Sequence, residues 1–277
     1  KLNPLNSGAK ENFIFDVHPP KGNSTGKFSS VVTEGDQSFR MKLTEIDYPH
    51  ISKQYLLEPN ESKGVKINFE TKVKKIAYLK GAGDKVAQSI RNIGIAVTEF
   101  DVDDLQLERI SEFPTLVVGI RAFNVHKELT FKNKVLWEYV NRGGTIIVQY
   151  NTSRGLDSSI IAPYPINLSR DRVTDEASRV KLLIPGHPIL NTPNKISSID
   201  FEGWVQERGL YFANNWDSHY SALLSMNDYG ESPKKGSLLV ANYGKGKFIF
   251  TGLSFFRELP AGVPGAFRLF ANLISYG

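Results

Sequence analysis

The chain contains no cysteine in 277 residues. That absence removes disulfides, thiolate metal sites and any Cys nucleophile. Histidine is sparse: His18, His50, His126, His187 and His219 form neither a HExxH pair nor a close His–carboxylate metal spacing, so no metal is expected. A Gly-x-Ser-x-Gly elbow is lacking, which leaves a Ser-His-Asp hydrolase without a visible nucleophile. A Walker-type Gly-Lys-Ser/Thr is lacking as well. No apolar run approaches the roughly 18–20 residues of a spanning helix, so no membrane span is expected. With only two Met and a start at Lys1, the chain is expected to be a piece of a longer protein.

The remainder describes an ordinary globular sequence, 40% hydrophobic and 11% aromatic. The net charge is +5 and the pI about 9.1, but the lysines (Lys72, Lys74, Lys75, Lys80, Lys85, Lys234, Lys235, Lys245, Lys247) are scattered. Nucleic-acid binding needs a concentrated basic stripe, so nucleic acid is not an expected partner.

Two textures divide the chain. Residues 1–70 read as a β-rich segment, the tail of a preceding β domain or a packing arm. Its short runs are Phe13-Ile14-Phe15, Lys27 to Val32, Phe39 to Leu43 and Val65 to Phe69, separated by Asn, Gly, Pro and Ser. Residues 71–277 alternate strands with helices. Strands are expected at 76–79, 95–100, 115–119 and 145–150, and the last two at 237–241 and 247–251 are joined as a hairpin. Helices are expected at 86–93, 105–110, 131–141 and 265–274, the third ended by Gly143-Gly144. This spacing predicts an α/β fold, a mostly parallel sheet with helices on both faces and an antiparallel edge. An irregular insertion occupies 152–235.

Three strand ends carry polar residues where open α/β sheets bind ligands: Arg121, then Gln149 and Asn151, then Ser254. These groups either serve a site or bond loop backbone. Gly81-x-Gly83 after the first strand starts a phosphate fingerprint, but Val86 stands where a third small residue is needed. A tight turn with Asp84 capping the helix is the plainer role, and no cofactor is expected. Within the insertion, Arg170, Asp171, Arg172, Glu202, Glu207, Arg208 and Asp217 alternate with Trp204, Tyr211 and Trp216 at no regular period. Such a mixture suits recognition of a saccharide or another small polar ligand. It equally suits a segment pinned by its own ion pairs. Asp200, Glu202, Glu207 and Asp217 also offer paired acids for saccharide hydrolysis, which depends on a separation the sequence cannot give.

Residues 76–151 resemble the class I glutamine-amidotransferase-like fold, which implies that the sheet is flavodoxin-like. The resemblance rests on Tyr78-Leu79-Lys80-Gly81-Ala82-Gly83-Asp84, Val117-Val118-Gly119-Ile120-Arg121-Ala122-Phe123-Asn124 and Gly143-Gly144-Thr145. Residues 72–277 further resemble the C-terminal region of large PIG-L family (GlcNAc-PI de-N-acetylase-like) deacetylases of Bacteroidetes-type bacteria. This rests on Asn167-Leu168-Ser169-Arg170-Asp171-Arg172-Val173-Thr174-Asp175-Glu176, on Gly203-Trp204-Val205-Gln206-Glu207-Arg208-Gly209-Leu210-Tyr211-Phe212, and on the run from Thr251 to Gly265. The zinc site of that family uses a His-Pro-Asp-Asp type motif, whereas Val17-His18-Pro19-Pro20 lacks both acids. The amidotransferase triad needs a Cys that this chain does not have. The resemblance therefore implies a non-catalytic accessory domain of a larger zinc-dependent amino-sugar N-deacetylase. Its partners would be other domains of that protein, a small polar ligand or a second copy, in a periplasmic or secreted setting. A saccharide hydrolase and an oligomerisation domain remain the alternatives.

Overall fold

The computed structural model describes residues 6, 8–22 and 24–277. The chain divides into two units, residues 1–68 and 69–277. The first unit consists of three antiparallel pairs. Ser24–Ser29 (β1) lies beside Glu61–Lys66 (β6), Val32–Glu34 (β2) beside Gln37–Phe39 (β3), and Met41–Ile46 (β4) beside Gln54–Pro59 (β5). None of its described residues is buried. Leu43 faces Leu57 across β4–β5, both more than 60% exposed. Phe13-Ile14-Phe15 is irregular rather than a strand, and the run from Phe39 to Leu43 is broken at Arg40 between β3 and β4. Val65 lies in a paired strand, opposite Thr25, as its alternation suggests, but Ile67 and Phe69 lie beyond it.

The second unit opens with Lys75–Leu79 (β7), Val86–Asn92 (α1), Ala96–Phe100 (β8), Leu107–Ile110 (α2), Thr115–Val118 (β9), Ala122–Val125 (α3), Leu129–Asn141 (α4) and Thr145–Val148 (β10). The insertion follows, with small strands Ile166–Leu168 (β11), Arg172–Val173 (β12), Lys181–Leu182 (β13), Gly209–Leu210 (β14), Ala213–Trp216 (β15), Ser221–Ala222 (β16) and Leu224–Ser225 (β17). Leu238–Tyr243 (β18), Gly246–Thr251 (β19), Phe255–Ala261 (α5) and Pro264–Ile274 (α6) complete the chain. Helices α3 and α5 are additions to the expected set.

One seven-stranded sheet organises this unit, in the order β16-β18-β19-β10-β9-β7-β8. Strands β8, β7, β9, β10 and β19 are mutually parallel, and β18 returns antiparallel along β19. The parallel part reads 2-1-3-4-5, the order of doubly wound flavodoxin-like sheets. Register explains why these segments are strands. Leu79, Val118, Val148, Phe250 and Leu239 stand in one row, and Ala77, Leu116, Ile146, Phe248 and Ala241 in the next. Both rows pack against Leu129, Leu136, Tyr139 and Val140 of α4. The alternate row, Tyr78, Val117, Ile147 and Ile249, is also buried, and α1, α5 and α6 pack against one another as a second helix group. A strand buried on both faces cannot alternate with polar residues, so its sequence is a continuous β-branched and aromatic run.

Helix α4 stops because Gly143 turns left-handed (φ +118°), and a Cβ on Gly144 would sit 2.2 Å from the Tyr139 ring. The Tyr139 hydroxyl donates to Phe113 O at 2.9 Å. The insertion is tied to α6 by two buried amides. Asn272 Nδ2 donates to Ile189 O and Asn194 O, and Asn272 Oδ1 accepts from Asn194 N. Among the described residues no helix is long and apolar enough to cross a membrane.

Truncating the central row should be strongly destabilising: Phe250→Ala is expected to lose about 3–5 kcal/mol in urea unfolding. Phe131→Ala, at a position 78% exposed on α4, should stay within about 0.5 kcal/mol of wild type. Equal losses in the two variants would contradict this assignment of the core.

Candidate functional site

The carboxyl ends of β9, β10 and β19 meet at one edge of the sheet, where a doubly wound fold places its ligands. Three layers occupy that edge. The deepest is a chain of polar side chains. Tyr78 Oη donates to Asp84 (2.7 and 2.8 Å to its two oxygens) and accepts from Gln149 Nε2 at 3.1 Å. Burial pushes the Tyr78 phenol well above its ordinary value, and Asp84 adds to the shift. Gln149 Oε1 is buried with no hydrogen-bond partner among the described residues. Asp84 also accepts from Val86 N at 2.8 Å; it closes the turn into α1 from the residue before the N-cap, which is Lys85 rather than Asp84. A Cβ on Gly81 would lie 2.2 Å from Ile120 O, and one on Gly119 2.8 Å from Gly81 N. These glycines serve the close approach of two loops.

The middle layer is aromatic. Tyr150, 8% exposed, lies between Tyr211 (centroids 6.2 Å, planes within 10°) and Phe256 (5.1 Å). Arg257 sits 4.8 Å over the Phe256 ring, and its Nε donates to Glu207 Oε1 at 2.9 Å. Burial raises the Tyr150 phenol, while the Arg121 and Arg257 cations oppose that rise. Tyr211 holds a left-handed backbone (φ 53°), and so does Arg121 (φ 54°). A bulky residue in that region is strained, which singles out both positions.

The outer layer is an open cleft of about 470 Å³ between the loops that follow β9 and β10. Asn124 and the Thr152 backbone exchange two hydrogen bonds, at 3.0 and 2.9 Å, and Asn151 Oδ1 accepts from Phe123 N at 3.1 Å. These bonds fix the two loops to each other. Arg121, Lys127 and Arg154 line the cleft, with Asp157 at its margin.

Of the residues singled out in the sequence, Arg121, Gln149, Asn151 and Glu207 share this edge. Trp204 and Arg208 are corrections. Trp204 is 2% exposed between Phe201 and Phe255 and offers no sugar-stacking face. Arg208 is 4% exposed and donates to Ser178 O and Phe201 O, so it holds the insertion together rather than meeting a ligand. Arg170, before β12, and Arg172, its first residue, are exposed, and Asp171 lends its backbone carbonyl to Phe212 N. Glu202 is exposed beyond a short turn.

Asp217 lies at the opposite edge. Its carboxylate engages His219, which stacks on Tyr164 at 4.1 Å, and Tyr164 packs on Tyr243. Because β18 runs antiparallel, Tyr243 stands beside Gly246, at the start of β19. Asp200 is also engaged, with Arg268 at 2.7 Å. Of the four acids considered for hydrolysis, Asp200, Glu207 and Asp217 are each engaged with a separate partner, Arg268, Arg257 and His219, and Glu202 is exposed. Among the described residues no group of three or more His, Asp or Glu is placed to hold a metal. Sequence reading passed over Arg257, Phe256, Lys127 and Arg154 as site candidates. The strand-end rule that selected Arg121 also reaches Phe256 and Arg257, which follow β19.

No protein-family model and no curated protein matches the chain. Solved structures resemble it weakly. A cytoplasmic protein of Salmonella typhimurium is 12% identical, with 90% of this chain and 94% of that one covered at a TM-score of 0.47. A GMP synthase subunit-like protein of Thermoplasma acidophilum is 12% identical, with 74% and 96% covered at 0.46. A cold-adapted β-galactosidase of Rahnella is 13% identical, with 75% and 32% covered at 0.43. Likenesses at this level assign no activity to this chain.

Glu258 is fully buried beneath the aromatic layer. It accepts from Val205 N (3.0 Å) and Ser254 Oγ (3.1 Å), and burial pushes it up to about 7. The native state then holds this proton more tightly than the unfolded chain does. Its contribution to stability should fall as pH rises from about 4.5 to about 7, by about 3 kcal/mol, and be flat outside that window. Glu258→Gln should remove this slope from urea midpoints measured across the interval; an unchanged slope would show that Glu258 is not its source.

Proposed function

We propose that the chain is a non-catalytic accessory domain with an amidotransferase-like α/β fold, working by binding within a larger amino-sugar N-deacetylase. The observation that carries this is the end of β10. At one of the two strand ends where the amidotransferase resemblance would set a site, the other being Arg121-Ala122-Phe123, stands Tyr150, a phenol packed on Tyr211 and Phe256 and raised by burial. A protonated phenol under two rings is a poor nucleophile, and the chain has no cysteine to replace it. The strand order supports the amidotransferase-like part of the reading. The deacetylase setting and its periplasmic or secreted home are supported by the sequence resemblance over residues 167–176, 203–212 and 251–265.

An interaction role, with other domains or a second copy, is favoured by one observation. Met41, Leu43, Tyr55 and Leu57 present their side chains on the same side of β4–β5, each more than half exposed. Light scattering that returned a monomer at every concentration would remove the second-copy version of this role.

The purified chain should release no ammonia from glutamine above background and hydrolyse no member of a saccharide panel. Glu207→Gln should behave identically. Turnover that the wild type shows and Glu207→Gln loses would replace this reading with the paired-carboxylate hydrolase.

A further inference from the structure

We infer that the cleft between the β9 and β10 loops is an anion site, built for a sugar-sized ligand that carries a phosphate or carboxylate group. The inference deepens the binding role proposed above and rests on it. The distribution of charge is the first support. Six of the eleven arginines of this unit are committed: Arg91 to Glu99, Arg109 to Asp104, Arg142 to Glu138, Arg257 to Glu207, Arg268 to Asp200 and Arg208 to backbone carbonyls; Arg170, Arg172 and Arg179 form no ion pair among the described residues but do not line this cleft. Arg121, Lys127 and Arg154 form no ion pair among the described residues, and all three line the walls of one cleft. Three unneutralised cations around one concavity repel one another, and an anion seated between them relieves that repulsion.

Backbone geometry is the second support. Arg121 occupies the left-handed region, where glycine is at ease and arginine is not. Its amide donates to Tyr150 O at 2.8 Å, which anchors the turn to the end of β10. The fold thus holds a strained cation at the carboxyl edge of the sheet, where a glycine would carry no strain. The loops around it are locked by the Asn124–Thr152 exchange and the Asn151–Phe123 bond, so the cationic groups are mounted on a fixed frame.

Size and lining give the ligand class. A volume of about 470 Å³ falls within the roughly 300–1,000 Å³ of small-molecule pockets. Leu156 and Ile160 provide an apolar wall, while Thr130 and Asp157 offer hydroxyl and carboxylate groups at the rim. Asp157 would accept from sugar hydroxyls. Arg121 and Arg154 would take the anionic group by charge-assisted bonds, with Lys127 as a further point charge.

Calorimetric titration of the whole chain with glucose 6-phosphate, glucuronate, glucose and inorganic phosphate tests the assignment. At least one of the two charged sugars should bind, more weakly as salt is raised, and glucose should bind at least tenfold more weakly. Which charged sugar binds tells a phosphate ligand from a carboxylate one. Arg154→Ala and Lys127→Ala should each lower affinity about tenfold at unchanged melting temperature. Arg121→Gly is the sharpest variant: it removes a cation and relieves the strained φ, so affinity should fall about tenfold while the melting temperature holds or rises. Failure of both charged sugars to bind, equal binding of glucose, or charged-sugar binding that the three variants leave intact would overturn the site. Inorganic phosphate binding as tightly as the sugars would overturn the sugar-sized part. Glutamine turnover would instead sink the non-catalytic reading while leaving these titrations as they stand.

Discussion

The constraint on which this domain depends is a parallel sheet covered on both faces. Ile76 to Leu79, Leu116 to Val118, Ile146 to Val148 and Phe248 to Phe250 are all buried, and no charged side chain interrupts these spans. Their backbone groups are paired in the ladders, so polar chemistry is pushed to the strand ends. At the carboxyl edge the chain must leave the sheet, turn and still satisfy its amides. The close approach of Gly81 to Gly119, the bond from Val86 N to Asp84 and the left-handed Arg121 all follow from that requirement.

The edge is then used in two ways. Above β10 and β19 it is filled: three rings and the Glu207–Arg257 pair cover the strand ends, with Glu258 sealed below. Above β9 and the β10 loop it stays open and basic. Arg121 belongs to both regions, since it lines the cleft and lies close enough to act electrostatically on the Tyr150 phenol. Filling one half with aromatic groups leaves Tyr150, at the end of β10, only 8% exposed. The other half keeps its cations hydrated and reachable.

Much of the sheet was legible because doubly buried strands leave an unmistakable trace, runs such as Thr115 to Val118 and Thr145 to Val148 bounded by Gly119 and by Gly143-Gly144. Helix α5 was not, because Pro260 falls inside it and the usual reading of proline is a stop. In the site, Arg121, Gln149 and Asn151 were found by a positional rule that needs only the strand ends. The insertion resisted for a different reason. A charged residue beside an aromatic one has the same composition whether it faces a ligand or is folded inward, as Trp204 and Arg208 are. Asp217 lies apart from the other candidates because the antiparallel return of β18 carries Tyr243, on which Tyr164 and His219 pack in turn, to the far edge, and no local pattern announces that reversal. The first unit was half legible, since alternation located Val65 but could not show that Phe13-Ile14-Phe15 forms no strand.

The long insertion touches the α4 face through Ile160, Ile166 and Leu168, grips α6 through Asn194, and runs beside Gly252 and Ser254 through Gly209 and Arg208. It also reaches the opposite edge through Tyr164. A segment fastened at four separate places cannot swing as a lid, because lifting one attachment strains the other three. Guests would then enter by side-chain reorientation in nanoseconds rather than by a slow gate. The fastening also makes the strap and the strands beneath it a single melting block, so a cut within it would loosen the whole body instead of freeing a flap.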